Sequence, residues 1–222
     1  MWPDLTFVGK LDPRAALAAT RLLAGLVAWP ELTARWDDES ACAGLSVGGL
    51  TWHLINQPQR LVEVLESHDP RDSRLSEPIA VSTHYARAVW LHEDLEGPSN
   101  VGVRERGEQQ AAAGPQAAAL TAQMSLARLD AALTAVPPVV VLPWTGAAMA
   151  IEDVVATRLL EIVVHSDDLA ASLDVPVPQF PHEVLSPVLT LLTDLAVRRH
   201  GQDALVRSLS RPQRAPASIS AF

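Results

Sequence analysis

Residues 158–169 read RLLEIVVHSDDL. Leucine, isoleucine and valine fill half of the stretch, and four of its polar members, Arg158, Glu161, His165 and Asp168, recur three, four and three positions apart. That is the period of an α-helix, so the four share one face. Glu161 and His165, four apart, are displaced by about 40° around the axis and lie within about 6 Å at Cβ, close enough to grip one object together. Leu159, Ile162 and Leu169 border the stripe on one side, Leu160 and Val164 on the other. A narrow polar band walled by apolar side chains suits a helix packed on several neighbours. The plain alternative is the solvated face of an amphipathic helix, laced by i,i+3 and i,i+4 charge pairs.

Outward from this stretch the helical pattern continues. The run LDPRAALAATRLLAGLVAWP (11–30) has Asp12 as an N-cap, Pro13 in the first turn and Pro30 as a stop, predicting a helix over 13–29. SVGGLTWHLINQPQRLVEVLESHDP (46–70) is capped by Ser46, ends before Pro70 and should kink at Pro58. PQAAALTAQMSLARLDAALTAVPP (115–138), rich in Ala and Leu, predicts a third helix, 149–173 a fourth, and HEVLSPVLTLLTDLAVRRHG (182–201) a fifth closed by Gly201. The polar passage 67–114 reads as a long crossover, in which VSTHYARAVWLHEDLE (81–96) can form one short helix. VPPVVVLPW (136–144) is β-branched, but its three prolines favour an extended connector over a paired strand. The tail SLSRPQRAPASISAF (208–222) reads as a partly ordered extension that can lie back over the helices. The expected fold is all-α: a four-helix bundle over 1–175 with a long crossover, and a helical C-terminal extension over 176–222 packed on it.

Composition agrees with a folded, soluble protein. Apolar residues make up 48% and charged residues 19% of the 222, enough to bury a core. No apolar run approaches the roughly 20 residues that span a bilayer, and the N-terminus lacks a basic segment followed by an apolar one, so no membrane role and a cytoplasmic location are expected. A formal net charge of −9 argues against nucleic acid as a partner. Cys42 is the single cysteine, which excludes an internal disulfide and an all-thiolate metal site, although one thiol can still serve as a nucleophile; flanked by alanines, it reads as structural. Lys10 is the sole lysine, an arginine bias without functional weight.

The second helix offers a match for the stripe. His53 lies beside an apolar face of Leu50, Leu54, Leu61 and Val64, with Gly49 one turn earlier removing bulk. A lone histidine there is commonly a core residue bonded to backbone. Two histidines and a carboxylate are different, because three protein ligands with an open fourth position make up the usual catalytic zinc site. His53, Glu161 and His165 would supply that set.

With these residues in hand, the chain resembles the mycothiol-dependent maleylpyruvate isomerase metal-binding domains, a branch of the DinB-like four-helix bundles. SVGGLTWHL resembles the segment that ends near a ligand histidine on the second helix, and RLLEIVVHSDDL resembles the Arg-x-x-Glu-x-x-x-His-x-x-Asp-Leu segment of the last bundle helix. ARWDDESACAGLSVGGL stands where the family has a Trp-containing loop, and the likeness covers approximately 12–173. The resemblance implies His53, Glu161 and His165 as ligands of a divalent ion, usually Zn2+, with an open position for water or a low-molecular-weight thiol such as mycothiol as cosubstrate. A coordinated thiol is deprotonated near neutral pH, and its thiolate can add to an electrophilic double bond or displace a leaving group, so transferase and isomerase chemistry share such a centre. Full-length isomerases carry a further α/β domain, whereas residues 178–222 read as mostly helical, so turnover of maleylpyruvate itself is not expected.

Other residues keep two readings. An anionic substrate would need a cation, with Arg158 on the stripe or Arg207, Arg211 and Arg214 in the tail as candidates, and each also reads as surface charge. Arg158 and Asp168 are the catalytic candidates; Asp168 can accept from a ligand imidazole N–H or simply pair with arginine. Asp167 points away from the stripe. His68, His84, His92, His182 and His200 read as loop or helix-end residues, and Trp52 and Trp144 as packing residues. Against the metal-dependent thiol transferase or isomerase stand a bundle that binds metal for stability or sensing without turnover, and a metal-free interaction protein in which the stripe meets a partner. The predicted partners are a small thiol and an electrophile, with a homodimer left open.

Overall fold

The computed structural model describes residues 2–94 and 96–222. Helix α1 spans Ala15–Val27, followed by the short α2, Pro30–Ala34. Next come α3 (Val47–Glu66), α4 (Val81–Ala86), α5 (Pro98–Ala111) and α6 (Gly114–Ala132). Strands β1 (Val139–Val141) and β2 (Ala148–Ala150) precede α7 (Ile151–Leu173), and α8 (His182–His200) and α9 (Gln202–Ser210) complete the order. The bundle is built from α1, α3, α6 and α7: α1 and α3 each pack against both α6 and α7. Their facing sides supply the core, with Leu23, Leu50, Leu54, Ile55, Leu61, Leu129, Leu159, Leu160 and Ile162 all but fully buried. Among the described residues no helix is long and apolar enough to cross a membrane.

The five long helices fall where the periodicity places them, and α3 runs on as one helix through Pro58. Three departures matter. The crossover contains a well-formed helix, α5, that hydrophobic patterning does not announce, because it buries only Gly107 and Ala111. The expected short helix over 81–96 is confined to α4 and a single turn at Val89–Leu91, with Leu95 outside the described residues. VPPVVVLPW is not a bare connector either: β1 pairs antiparallel with β2, Val140 opposite Met149. The prolines flank β1 instead of interrupting it, and Gly146, at φ 72°, lets the chain turn between the strands. This hairpin carries Trp144 at its tip and takes Met149 and Ala150 from the expected start of the fourth helix.

Helix α5 earns its place by closing on the start of α3. Ser46 caps α3 by accepting from the Gly49 amide at 2.9 Å, while Glu108 accepts from the Ser46 amide at 2.7 Å and from its hydroxyl at 2.9 Å. Backbone meets backbone at this crossing: a Cβ on Gly107 would stand 2.9 Å from the Gly49 carbonyl oxygen, and one on Gly48 2.7 Å from the Trp36 ring. The bulk removed at Gly49 therefore makes room for Glu108 of α5. The extension is tied down at both ends. Helix α8 packs against α7 and α1, Trp2 Nε1 donates to Asp194 at 2.8 Å, and His200 Nε2 meets the Ser220 carbonyl at 2.8 Å as the tail folds back.

Gly107→Ala separates this close approach from ordinary helix propensity. Propensity alone would stabilise α5 by about 1 kcal/mol, whereas forcing a methyl against the Gly49 carbonyl costs about 1–3 kcal/mol. Urea unfolding of the variant is expected to show a lower midpoint than the parent protein.

Candidate functional site

The stripe on α7 and the polar side of α3 face each other inside the bundle. His53 Nε2 lies 3.3 Å from Glu161 Oε2, and His165 Nε2 lies 3.4 Å from the same oxygen. The two rings meet edge to face with centroids 4.7 Å apart. One turn further along, Arg158 Nη1 donates to Gln57 Oε1 at 2.6 Å. Residue numbers rise along α3 as they fall along α7, so the helices run antiparallel with their polar stripes in register. The side chains of His53, Glu161 and His165 are only 15–19% exposed, so the solvated-face reading of α7 does not describe this stripe.

Charge and burial act against each other here. Burial would raise the Glu161 carboxyl, but hydrogen bonds from His165 and His53 outweigh it and hold the group well below the usual carboxylate range. Burial would likewise lower His165, yet its bonds to Asp168 and Glu161 dominate and push it up to about 9. His53, where burial prevails over the Glu161 contact, is pulled down. Without an ion the cluster thus holds one imidazolium, on His165, and one neutral imidazole. Asp168 Oδ2 accepts from His165 Nδ1 at 2.9 Å, which aims Nε2 at the centre; of its two readings, the structure displays the imidazole partner. Asp167 is exposed.

Several neighbours were not legible in the patterning. Cys42, read as structural, comes within 4.8 Å of His165 and Asp168. Its loop is held to α7 by the Ala41 amide donating to Ser172 Oγ at 2.9 Å and by Arg35 donating to the Ser172 carbonyl at 2.9 Å. Burial, then Asp168 and Glu161, push the Cys42 thiol up, so it stays protonated. His84, read as a loop or helix-end residue, stands in the last turn of α4; burial and then Arg158 lower it to about 4. Trp144 is not a packing residue: 38% exposed, it lies under two guanidiniums, Arg60 at 5.1 Å and Arg158 at 6.0 Å from the ring centre. Arg60 stands two turns after His53 on the same stripe of α3, a spacing that could have signalled it. Trp52 is buried as expected. Arg207, Arg211 and Arg214 line a separate shallow cleft on α9.

The mycothiol maleylpyruvate isomerase N-terminal domain matches residues 16–170, well over half of the chain. The chain belongs to this family. The match runs from α1 to the end of the stripe on α7 and so takes in the bundle and all the converging side chains. Members are helical domains of the DinB-like kind, in keeping with the bundle observed. No curated protein and no solved structure matches the chain.

The raised His165 has a stability consequence with a definite sign. Its protonated form is favoured in the folded state, so the contribution is full below the unfolded value of 6.5 and disappears as pH rises through about 9. In chelator-treated protein, unfolding free energy is expected to fall between pH 6.5 and 9.5, by at most about 3 kcal/mol from this group. Asp168→Asn should narrow that fall, and NMR titration of the ring should show His165 losing its proton at lower pH in the variant.

Proposed function

We propose that this family member is a divalent-metal protein of the thiol transferase or isomerase kind, with His53, Glu161 and His165 as its three ligands. The observation that carries the reading is the single Glu161 oxygen facing two imidazole Nε2 atoms at 3.3 and 3.4 Å. Bonds of about 2.0–2.1 Å to a tetrahedral zinc imply ligand–ligand edges of about 3.3 Å, which the two edges through Glu161 match, and all three ligand atoms lie within 4.8 Å of one another. Two imidazoles and one carboxylate also suit zinc in kind, and three protein ligands leave a position open. The bundle over 1–175 would hold this centre, with 176–222 packed as a brace.

Each residue then has a task. His53 and His165 offer Nε2 lone pairs, and Asp168 keeps the His165 proton on Nδ1. Glu161 brings the negative charge, and Gln57, which donates to the His53 carbonyl at 2.9 Å and accepts from Arg158, braces α3 beside it. When bound, the ion would supply a Lewis-acidic position at which a small thiol, mycothiol by the family's association, is held deprotonated for attack on an electrophile. The apolar walls of α3 and α7 restrict water around that position.

Zinc content by atomic emission spectroscopy tests the ligand set. The purified protein is expected to hold close to one ion, and His53→Ala or His165→Ala to lose it. Because His165 must shed a proton to bind, apparent zinc affinity should weaken about tenfold for each pH unit below about 9. In calorimetry the zinc-loaded protein should bind mycothiol and the chelated protein should not. Unchanged zinc content in both alanine variants would exclude the assignment.

A further inference from the structure

Away from the α3–α7 seam, helix α8 turns one side to solvent along a groove with fixed walls. Residues 2–5 form a strap beside α8, pinned by the buried carboxylate of Asp194. Trp2 Nε1 donates to Asp194 Oδ1 at 2.8 Å, Arg198 Nε donates to Oδ2 at 2.7 Å, and Arg198 also donates to the Pro3 carbonyl. The other end of the strap is held by Ser82, whose hydroxyl accepts from the Leu5 amide at 3.0 Å and donates to Asp4 at 3.2 Å. Between strap and helix runs a mostly apolar groove of about 660 Å³, lined by Trp2, Pro3 and Leu5 from the strap and by Leu185, Leu189 and Val197 from α8.

Leu185, Leu189, Thr193 and Val197 recur every four residues and so make one ridge along α8, of the kind that packs into a groove on a facing helix. Ridge and groove thus lie side by side on one face. Its apolar groups stand in water, with Leu189 53% and Trp2 48% exposed. Between Glu183 and Arg198 the exposed residues of α8 are Leu185, Leu189, Thr190 and Thr193, none of them charged. The ends of the helix carry opposite signs, Glu183 in the first turn and Arg198 and Arg199 in the last.

This pattern selects the occupant. Copies of a chain with net charge −9 repel one another, so close approach requires a face that is neutral at its centre and charge-matched at its edges. A second α8 laid antiparallel over the first brings each Glu183 toward the Arg198–Arg199 end of its counterpart and opposes the two helix dipoles. The same rotation sets each ridge against the other copy's groove, the self-complementarity that a twofold interface demands. We propose that the α8 face is a docking surface for a second copy of this chain, with Leu189 of each copy at the twofold axis and Trp2 covered by the opposing α8. A contact between two helices of about 28 Å and their straps belongs to the small end of specific interfaces, so the dimer is weak and concentration-dependent.

Sedimentation equilibrium of the purified protein from about 5 to 500 μM tests this, with a monomer–dimer equilibrium of dissociation constant about 10–100 μM expected. Leu189→Glu and Leu189→Lys each set like charges face to face at the axis and should weaken association at least about tenfold. Mixing the two variants should restore a one-to-one heterodimer, because at a twofold axis a residue meets its own counterpart. Leu120→Glu, at an exposed apolar position on α6, should dimerise like the parent. Circular dichroism melts verify that each variant is folded. A protein monomeric throughout the range, a dimer untouched by both Leu189 substitutions, a mixture no more associated than its components, or a dimer lost in Leu120→Glu would overturn the proposal.

Discussion

One oxygen atom sets the terms for this protein. Glu161 Oε2 is shared between two imidazoles inside a helical bundle, and a carboxylate taken out of water in that way survives only if its charge is met at close range. The imidazolium of His165 meets it in the metal-free chain. Removing His165 would leave a buried charge uncompensated, and His53 carries the contact across to α3, which lies antiparallel to α7 and in register with it, His53 opposite Glu161 and Gln57 opposite Arg158.

Much of the rest of the fold can be understood as holding that register. Glu108 reaches from α5 to cap the start of α3, six residues before His53, and the glycine contacts around 48–49 and 107 allow the two backbones to come close enough for it. The loop before α3 is tied to the far end of α7 through Ser172, which brings Cys42 alongside Asp168. At the other end the hairpin delivers Trp144 to the guanidiniums. A polar seam thus runs between two helices, with imidazoles and carboxylates at one end and arginines at the other, while leucine and isoleucine close the sides.

The parts of this arrangement that patterning reveals are those with a local cause. The long helices are written in apolar spacing and in Pro, Ser and Gly punctuation, and the Glu161–His165 pair follows from a four-residue interval on one of them. His53 could be matched to that pair because its own helix was equally plain. Helix α5 escaped because it meets α3 through glycine and alanine, so it carries no apolar stripe to detect. The β1–β2 pairing escaped because prolines that end a strand look, in one dimension, like prolines that forbid it. Cys42 and Trp144 are brought to the site by a loop and a hairpin, and His84 by the short α4, through tertiary contacts for which no spacing rule exists. Arg60 is the exception, since two turns from His53 is a helical interval.

X-ray absorption at the zinc edge of the metal-loaded protein tests the central claim most directly. A first shell of nitrogen and oxygen at about 2.0–2.1 Å, with the multiple-scattering pattern of two imidazoles, is the predicted result. A sulfur scatterer at about 2.3 Å would move the ion to Cys42, and a shell without imidazole would remove it from the α3–α7 seam altogether. Either spectrum would contradict the account.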